Sequence, residues 1–447
     1  MKLGSSYFLN GALLALVVSA VAAACGSDSN HRNDRYSAGG AGGAADGGGP
    51  AASNGGGGIP AAGGVVSGAI AGNGGEPEPV GVAGLGGQPA AVAVGGEGGT
   101  LMIALGGTAS AGDGGIGGAP DSLPPFNCDT IVLTDAELEA AVRSQLAKPT
   151  GVITPAEAAS LTALGSSQFS GITSVAGIEC FTGLTDLYLG VGGQPSNVQN
   201  LAPLRYLKNL TKLDLNNNSL TSLEPLGELP KLQELNLKSA VNHVSLAALA
   251  KAPALTTLQL TQCQLDELTP LSQIATLTLL ELNGATLSAA AAASLSKLKN
   301  VTELHLGYVI DDATPVAALT QLKILDISQK PLTNFGSLST LVNLTKLDAS
   351  YTQITDITAV TSMTQLTDLN IAFDDVADIS PLQGLTLLKN FYANFNPITD
   401  ITPLVNNPGV GTGDVLNLAG TSLSCATQGA KVTTLVGRGV TVYSPCN

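Results

Sequence analysis

The sequence predicts an α/β solenoid, a stack of similar coils in which each coil adds one short strand to a parallel, concave β-sheet. The first observation is a repeat: two apolar residues separated by one residue recur ten times, at steps of 21 to 25 residues. The second is that further apolar residues follow each pair at steps of about three, as Leu220, Leu223, Leu226 and Leu229 follow Leu215. The third is that neither part of such a coil can bury its apolar face alone, so neighbouring coils must share one core.

Each apolar pair predicts a strand, because alternate side chains of a strand point to the same face. A period of 20–29 residues with the pattern L-x-x-L-x-L-x-x-N/C-x-L is the signature of a leucine-rich repeat. We therefore expect a right-handed leucine-rich-repeat domain over residues 161–424, with two looser copies at Leu164/Ser166 and Leu187/Leu189. The ten clear copies are Leu213/Leu215, Leu235/Leu237, Leu258/Leu260, Leu280/Leu282, Leu304/Leu306, Leu325/Ile327, Leu347/Ala349, Leu369/Ile371, Phe391/Ala393 and Leu416/Leu418.

The return segments between strands are predicted to differ in length and type. Residues 244–252 and 287–298 are rich in Ala and Leu and predict true helices. Segments that contain Pro225, Pro270, Pro381 or Pro403 are expected to be shorter and tighter, because proline lacks a backbone donor.

Both ends of the solenoid carry predicted caps, since a terminal coil would otherwise expose core. The N-terminal cap, residues 121–160, should hold two helices, each begun by a capping box, at Thr134/Glu137 and at Thr154/Glu157. The C-terminal cap, residues 425–447, should hold a helix over 426–436 and a last strand over 440–443.

Six cysteines fit this arrangement. Two disulfides, Cys128–Cys180 and Cys425–Cys446, would close the caps, and they imply an oxidising compartment. Cys263 falls at the Asn/Cys position of the repeat, where a small thiol serves as core.

The N-terminus predicts export and lipid attachment. Residues 12–24 form an apolar run that is too short to span a membrane but suits a signal peptide, here residues 1–24. Small residues directly before Cys25 look like the lipobox of bacterial lipoproteins, although ordinary cleavage at the alanine run is the alternative. Gly26, in place of Asp, favours the outer membrane or cell surface. Residues 25–120 predict a disordered Gly/Ala-rich tether, because such a composition cannot bury enough side chain to fold.

The repeats resemble those of internalin-type bacterial leucine-rich-repeat proteins. The stretches 344–348, 354–358 and 398–404 carry the resemblance, which extends over about residues 130–447. It implies the fold and a recognition role. The sequence departs from the family at the Asn after the strand, which ten clear copies retain only at Asn218 and Asn396, so we expect backbone groups there to pair with water or each other.

The sequence offers little for catalysis. The three histidines, His31, His243 and His305, are expected to be isolated and solvated, and no nucleophile or metal motif is present. We predict no enzyme, no cofactor and no metal site, although a β-helical carbohydrate-active enzyme is a remote alternative. A net charge of −15 argues against nucleic acid as a partner, since phosphates require a basic surface.

Aromatic residues gather at one position of the repeat, two residues after the second residue of the apolar pair. This column reads Tyr308, Gln329, Tyr351, Phe373 and Phe395 in successive coils. With His305 and Tyr392 on the adjoining strand face, the aromatic residues are the candidate binding residues. The alternative is that the rings only pack against each other. The outward strand positions also carry many carboxylates, which are either a solvated surface or a site for a basic partner.

These observations predict an extracytoplasmic, lipid-anchored, non-enzymatic module that recognises an unidentified protein or glycan through its concave face. A structural or self-associating cell-envelope protein is the alternative. The membrane would be contacted through the lipid alone.

Overall fold

The computed structural model describes residues 127–165, 171–190 and 197–446. All of them lie within the unit Asp113–Asn447. The predicted signal peptide, Cys25 and the tether lie outside the described residues, as does Ser166.

The described part of the chain contains one 13-stranded sheet in which every neighbouring pair is parallel. The apolar pairs are in register from coil to coil: Leu213 lies opposite Leu235, and Leu347 opposite Leu369. The predicted fold class, a leucine-rich-repeat solenoid with a parallel concave sheet, is confirmed. The strands of the main sheet are β1 (Ala163–Leu164), β2 (Asp186–Tyr188), β3 (Lys212–Asp214), β4 (Glu234–Asn236), β5 (Thr257–Gln259), β7 (Leu279–Glu281), β9 (Glu303–His305), β10 (Ile324–Asp326), β11 (Lys346–Asp348), β12 (Asp368–Asn370), β13 (Asn390–Tyr392), β14 (Val415–Asn417) and β15 (Thr441–Tyr443). Two further strands, β6 (Gln264–Leu265) and β8 (Thr286–Leu287), pair outside it.

Most return segments are 3-10 helices of three to six residues. Residues 244–252 were expected to form a true helix, but they contain only a five-residue 3-10 helix, Ala247–Lys251. The α-helical returns are α3 (Ala289–Ser294) and α4 (Thr402–Asn406). They occupy steps of 24 and 25 residues, but the 26-residue step from Leu187 to Leu213 returns through a 3-10 helix, Ala202–Tyr206, so step length alone does not decide the helix type. Pro403 does not prevent α4, since it lies in the first turn, where no donor is needed. The 3-10 helices are Ile178–Cys180, Ala202–Tyr206, Glu224–Glu228, Ala247–Lys251, Thr269–Gln273, Leu295–Lys297, Val316–Ala318, Phe335–Thr340, Thr358–Ser362 and Ser380–Gly384.

The caps close both ends of the core. Helix α1 (Ala136–Gln145) begins at Asp135 rather than at a Thr134 capping box: the Asp135 carboxylate accepts bonds from the backbone N–H of Glu137 and Leu138. Its other oxygen accepts bonds from the backbone N–H groups of Thr173 and Ser174, which ties the helix to the next coil. Helix α2 (Pro155–Ser160) has the predicted capping box at Thr154.

Cystine bridges lie in both caps. Cys128 is bonded to Cys180, with a Cα–Cα distance of 5.6 Å. Cys425, the first residue of helix α5 (Cys425–Gly437), is bonded to Cys446, at 5.1 Å. Cys263 is a free, buried thiol.

In internalin-type repeats an asparagine follows the strand. In this chain several different side chains occupy that position and bond to the backbone. Asn396 accepts from the N–H of Val376 and donates to Ile371 and Ala393. Thr352 donates its hydroxyl to the carbonyl of Ala349 at 2.6 Å, and Cys263 donates its thiol to a carbonyl of the preceding coil. The expectation that backbone groups there would find no side chain is therefore wrong at Thr352 and Cys263, whereas Asn396 is one of the two positions where the asparagine was expected to be retained.

A second ladder runs along the opposite edge of the sheet, where threonine precedes the strands. Each hydroxyl donates to a backbone carbonyl of the preceding coil, as Thr211 does to Thr185 and Thr367 to Thr345, both at 3.0 Å. Three of these threonines belong to triplets that match the N-glycosylation motif N-x-T, residues 209–211, 300–302 and 343–345. The hydrogen bonds between coils account for these triplets without glycosylation.

Candidate recognition surface

The aromatic column lies on a turn whose backbone is left-handed in every clear copy of the repeat. All ten column residues have φ between 53° and 73°. Asparagine and glycine adopt this conformation readily, whereas larger side chains pay roughly 1–2 kcal/mol. The residues are Asn217, Ser239, Gln262, Gly284, Tyr308, Gln329, Tyr351, Phe373, Phe395 and Gly420.

Four aromatic side chains occupy this strained position and remain accessible to solvent. Tyr308 is 56% exposed, Tyr351 40%, Phe373 39% and Phe395 55%. A large exposed side chain is disfavoured by this left-handed backbone relative to Asn or Gly, and backbone strain gathers at functional sites. The column is therefore the strongest candidate for a binding surface among the described residues.

Three of the rings form a continuous stack, here called the aromatic stack: Tyr351, Phe373 and Phe395. The ring centroids of Tyr351 and Phe373 are 4.3 Å apart and their planes differ by 10°; those of Phe373 and Phe395 are 4.5 Å apart, with 21° between planes. Internal packing and exposure, which the sequence offered as alternatives, thus occur together. The rings cover each other's faces and present their edges to solvent.

The stack ends at Gly420 because a side chain there has no room. A Cβ at Gly420 would lie 2.6 Å from Cδ1 of Phe395. The residue also has φ of 70°, which glycine adopts without cost. The absence of a side chain lets the last ring lie flat over the next coil.

His305 takes a structural position on the adjoining strand face. Its side chain is only 17% exposed, with Nε2 3.1 Å from Glu303 and Nδ1 3.8 Å from Asp326. Burial alone would lower the pKa of His305, but hydrogen bonds to Asp326 and Glu303 outweigh it and raise the pKa to about 9. The expectation of a solvated His305 is wrong, and its ring is committed to these carboxylates. Tyr392, the other candidate on this face, is half-buried in β13.

Several carboxylates of the concave face are paired with amides of the next coil. Asp214 accepts from Asn236 and Asp348 from Asn370, each at 2.9 Å. Desolvation, with the nearby charge of Asp326, raises the pKa of Asp348 to about 6. The amides hold the carboxylates without neutralising them, so this face stays acidic.

A separate hollow of about 170 Å³ lies on the concave face near the N-terminal end of the sheet. Tyr188, Asp214 and Asn236 contribute to its lining, as do Lys212 and Glu234, whose ion pair is 2.9 Å long. Sequence reasoning missed it, although Tyr188 is an aromatic residue at an outward strand position. The hollow lies on β2 to β5, and the aromatic stack follows β11 to β13.

The described residues contain no group of three or more His, Cys, Asp or Glu side chains arranged to hold a metal ion. Within the same ranges, no helix has the length and apolar character needed to cross a membrane.

Comparison with known proteins agrees with this architecture. A family model described as leucine-rich repeats (2 copies) matches residues 208–251. No curated protein sequence gives a significant match.

Among solved structures, an internalin (inlF) from Listeria monocytogenes is 26% identical, with a TM-score of 0.56 over 69% of this chain and 95% of that one. Internalin C2 of the same species is 22% identical, with a TM-score of 0.30 over 65% and 93%. A leucine-rich-repeat protein of Leptospira interrogans is 16% identical, with a TM-score of 0.43 over 61% and 93%. Only the first supports more than a general likeness. The 22-residue repeat, the parallel sheet and this similarity together show a leucine-rich-repeat fold that resembles the solved internalin structure.

Proposed function

We propose that the chain is an extracytoplasmic, non-enzymatic recognition module that binds a protein partner through the turn edge of its concave sheet. The aromatic stack is the observation that supports this proposal most strongly. Three rings of 39–55% exposure stand side by side on a backbone that favours Asn or Gly. Clustered aromatic residues are typical anchors of protein interfaces.

The stack favours a protein over a glycan as the partner. Sugar rings pack on exposed aromatic faces, but both faces of Phe373 are covered by its neighbours at 4.3 and 4.5 Å. Edges and polar turn atoms remain, and apolar or charged protein side chains fit those. The acidic concave face beside the stack would add steering of a basic protein.

Lipid attachment at Cys25 and a flexible tether over residues 25–120 complete the proposal. A tethered domain can search a large volume outside the membrane, which suits recognition.

Changing Cys25→Ser should move the full chain from the membrane fraction to the soluble fraction, and metabolic labelling with palmitate should disappear. Continued membrane association of the Cys25→Ser chain would remove the anchor from the proposal.

The recognition function is tested by differential capture. The full chain with Cys25→Ser is immobilised and exposed to cell-envelope extracts, in parallel with the same chain carrying Tyr351→Ala and Phe373→Ala. Interface aromatic residues often contribute 2 kcal/mol or more each, so the double variant should bind a specific partner at least ~100-fold more weakly.

A matched control uses exposed apolar residues elsewhere, Val342→Ala and Val436→Ala, which are 45% and 52% exposed. This variant should capture the same proteins as the parent. Equal capture by the stack variant and the parent, with both chains folded, would contradict recognition through the stack.

A further inference from the structure

The aromatic column has a gap of one ring. Tyr308 and Tyr351 lie in the column on either side of the coil that carries Gln329 at the same position. Two coil spacings place these side chains roughly 9.5 Å apart. A planar group inserted midway would lie about as far from each ring as the stacked rings lie from one another, 4.3–4.5 Å.

Gln329 does not fill this gap firmly. Its side chain is half-buried, and it has no hydrogen-bond partner among the described residues. The backbone of Gln329 is held, because its N–H donates to the backbone carbonyl of Ser350 at 2.9 Å. A flexible side chain without a partner can turn aside for a ligand at little cost.

The surroundings of the gap are acidic. The outward positions of β7, β9, β10 and β11 carry four carboxylates and two cationic side chains, His305 and Lys346. His305 is itself bound to two of those carboxylates. Lys330, beside the gap in sequence, directs its ammonium to the carbonyl of Val309 at 3.0 Å. The four carboxylates belong to Glu281, Glu303, Asp326 and Asp348.

We propose that the gap between Tyr308 and Tyr351 is a subsite for an arginine side chain of the protein partner. The guanidinium group is planar, permanently charged and weakly hydrated, and it stacks on aromatic faces. An aromatic side chain could stack between the two tyrosine rings but carries no positive charge to attract the carboxylates. A lysine side chain carries the charge but has no planar group to stack. This proposal rests on the proposed function, because it places the partner on the same surface.

The test uses small probes and needs no identified partner. The full chain with ¹³C-labelled tyrosine is titrated with acetyl-arginine-amide and, separately, with acetyl-lysine-amide, and the ring signals are assigned through Tyr308→Phe and Tyr351→Phe. The arginine probe should shift the Tyr308 and Tyr351 signals and bind at least about tenfold more tightly than the lysine probe. Raising the salt concentration should weaken binding, since part of the attraction is between exposed charges.

Gln329→Phe supplies the decisive variant. Phenylalanine already occupies this column position at Phe373 and Phe395, so the substitution should fold and close the gap with a ring. It should abolish the arginine-dependent shifts. Gln262→Phe, at the same position between Ser239 and Gly284, places a ring where no neighbouring ring exists and should leave the shifts unchanged.

Equal shifts with the lysine probe, or shifts that persist in Gln329→Phe, would overturn the arginine subsite. Absence of any shift in the parent chain would overturn it as well. None of these results bears on differential capture by the aromatic stack. Retained capture with failed arginine binding would leave the proposed function standing, and lost capture would remove the function itself.

Discussion

At the scale of single residues, Asp374 is a carboxylic acid in a site built for asparagine. One oxygen accepts from the backbone N–H groups of Thr352 and Gln353, both at 2.7 Å. The other is buried and has no partner among the described residues. Asn396, one coil later, has an amide N–H₂ in that place, which donates to the carbonyl three residues before it, Ala393. Burial raises the pKa of Asp374 to about 7 despite the hydrogen bonds that oppose it, so a proton can replace the missing amide hydrogen.

Asp374→Asn should remove a pH dependence of stability. The pKa of the folded state lies above the unfolded value of about 3.9, so the folded chain binds more protons and the parent loses stability as pH rises from about 4 through 7. We expect the variant and the parent to be similar near pH 4 and the variant to be more stable at pH 8, by up to a few kcal/mol. Urea unfolding followed at both pH values measures the difference. A difference that does not change with pH would contradict the assignment of the shift to Asp374.

At the scale of elements, stacking between coils decides what an exposed ring contributes to stability. Phe373 is stacked on both sides, whereas Tyr308 lies beyond Gln329 and has no stacked ring partner in the described ranges. Aromatic pairs are worth about 0.5–1.5 kcal/mol beyond the area they bury. Both residues have the same left-handed backbone, so strain does not distinguish them.

Phe373→Ala should therefore lower the free energy of unfolding by about 1–3 kcal/mol, the value of two ring pairs. Tyr308→Ala, the matched control, should change it by about 0.5 kcal/mol or less, as exposed substitutions usually do. Thermal melting of both variants provides the measurement. Equal losses would show that the rings do not support each other across coils.

At the scale of the whole molecule, a stack of coils is weakest where it ends, because terminal coils have one neighbour instead of two. The Cys128–Cys180 bridge joins residues 52 positions apart, and Cys425–Cys446 joins residues 21 apart. The first lies with Leu133 and Phe181 in the core of the N-terminal cap.

Reduction should destabilise the two ends unequally. The chain-entropy model gives about 4 kcal/mol for the longer loop and about 3 for the shorter. We expect Cys128→Ser with Cys180→Ser to lower the melting temperature more than Cys425→Ser with Cys446→Ser. Amide exchange should increase mainly in the coils next to the opened cap. Uniform exchange across all coils would contradict local protection by the caps.

The sequence alone determined the fold, because every coil contains the same apolar pair and parallel stacking of the coils buries all of these pairs. It also placed the helices of the caps to within a residue or two, since capping residues act over three or four positions. It did not show that Asp135, rather than Thr134, caps α1, because the bonds to Thr173 and Ser174 join residues 38 and 39 positions apart.

The aromatic column was visible in the sequence as a spacing, but its character was not. The left-handed backbone, the 4.3–4.5 Å stack and the gap at Gln329 all arise from the register of one coil on the next. His305 likewise became a half-buried ion-pair partner only when β9 and β10 brought Glu303 and Asp326 beside it. Local sequence fixes which residues a coil presents, and tertiary packing between coils decides which of them meet, which are charged and which remain open to a partner.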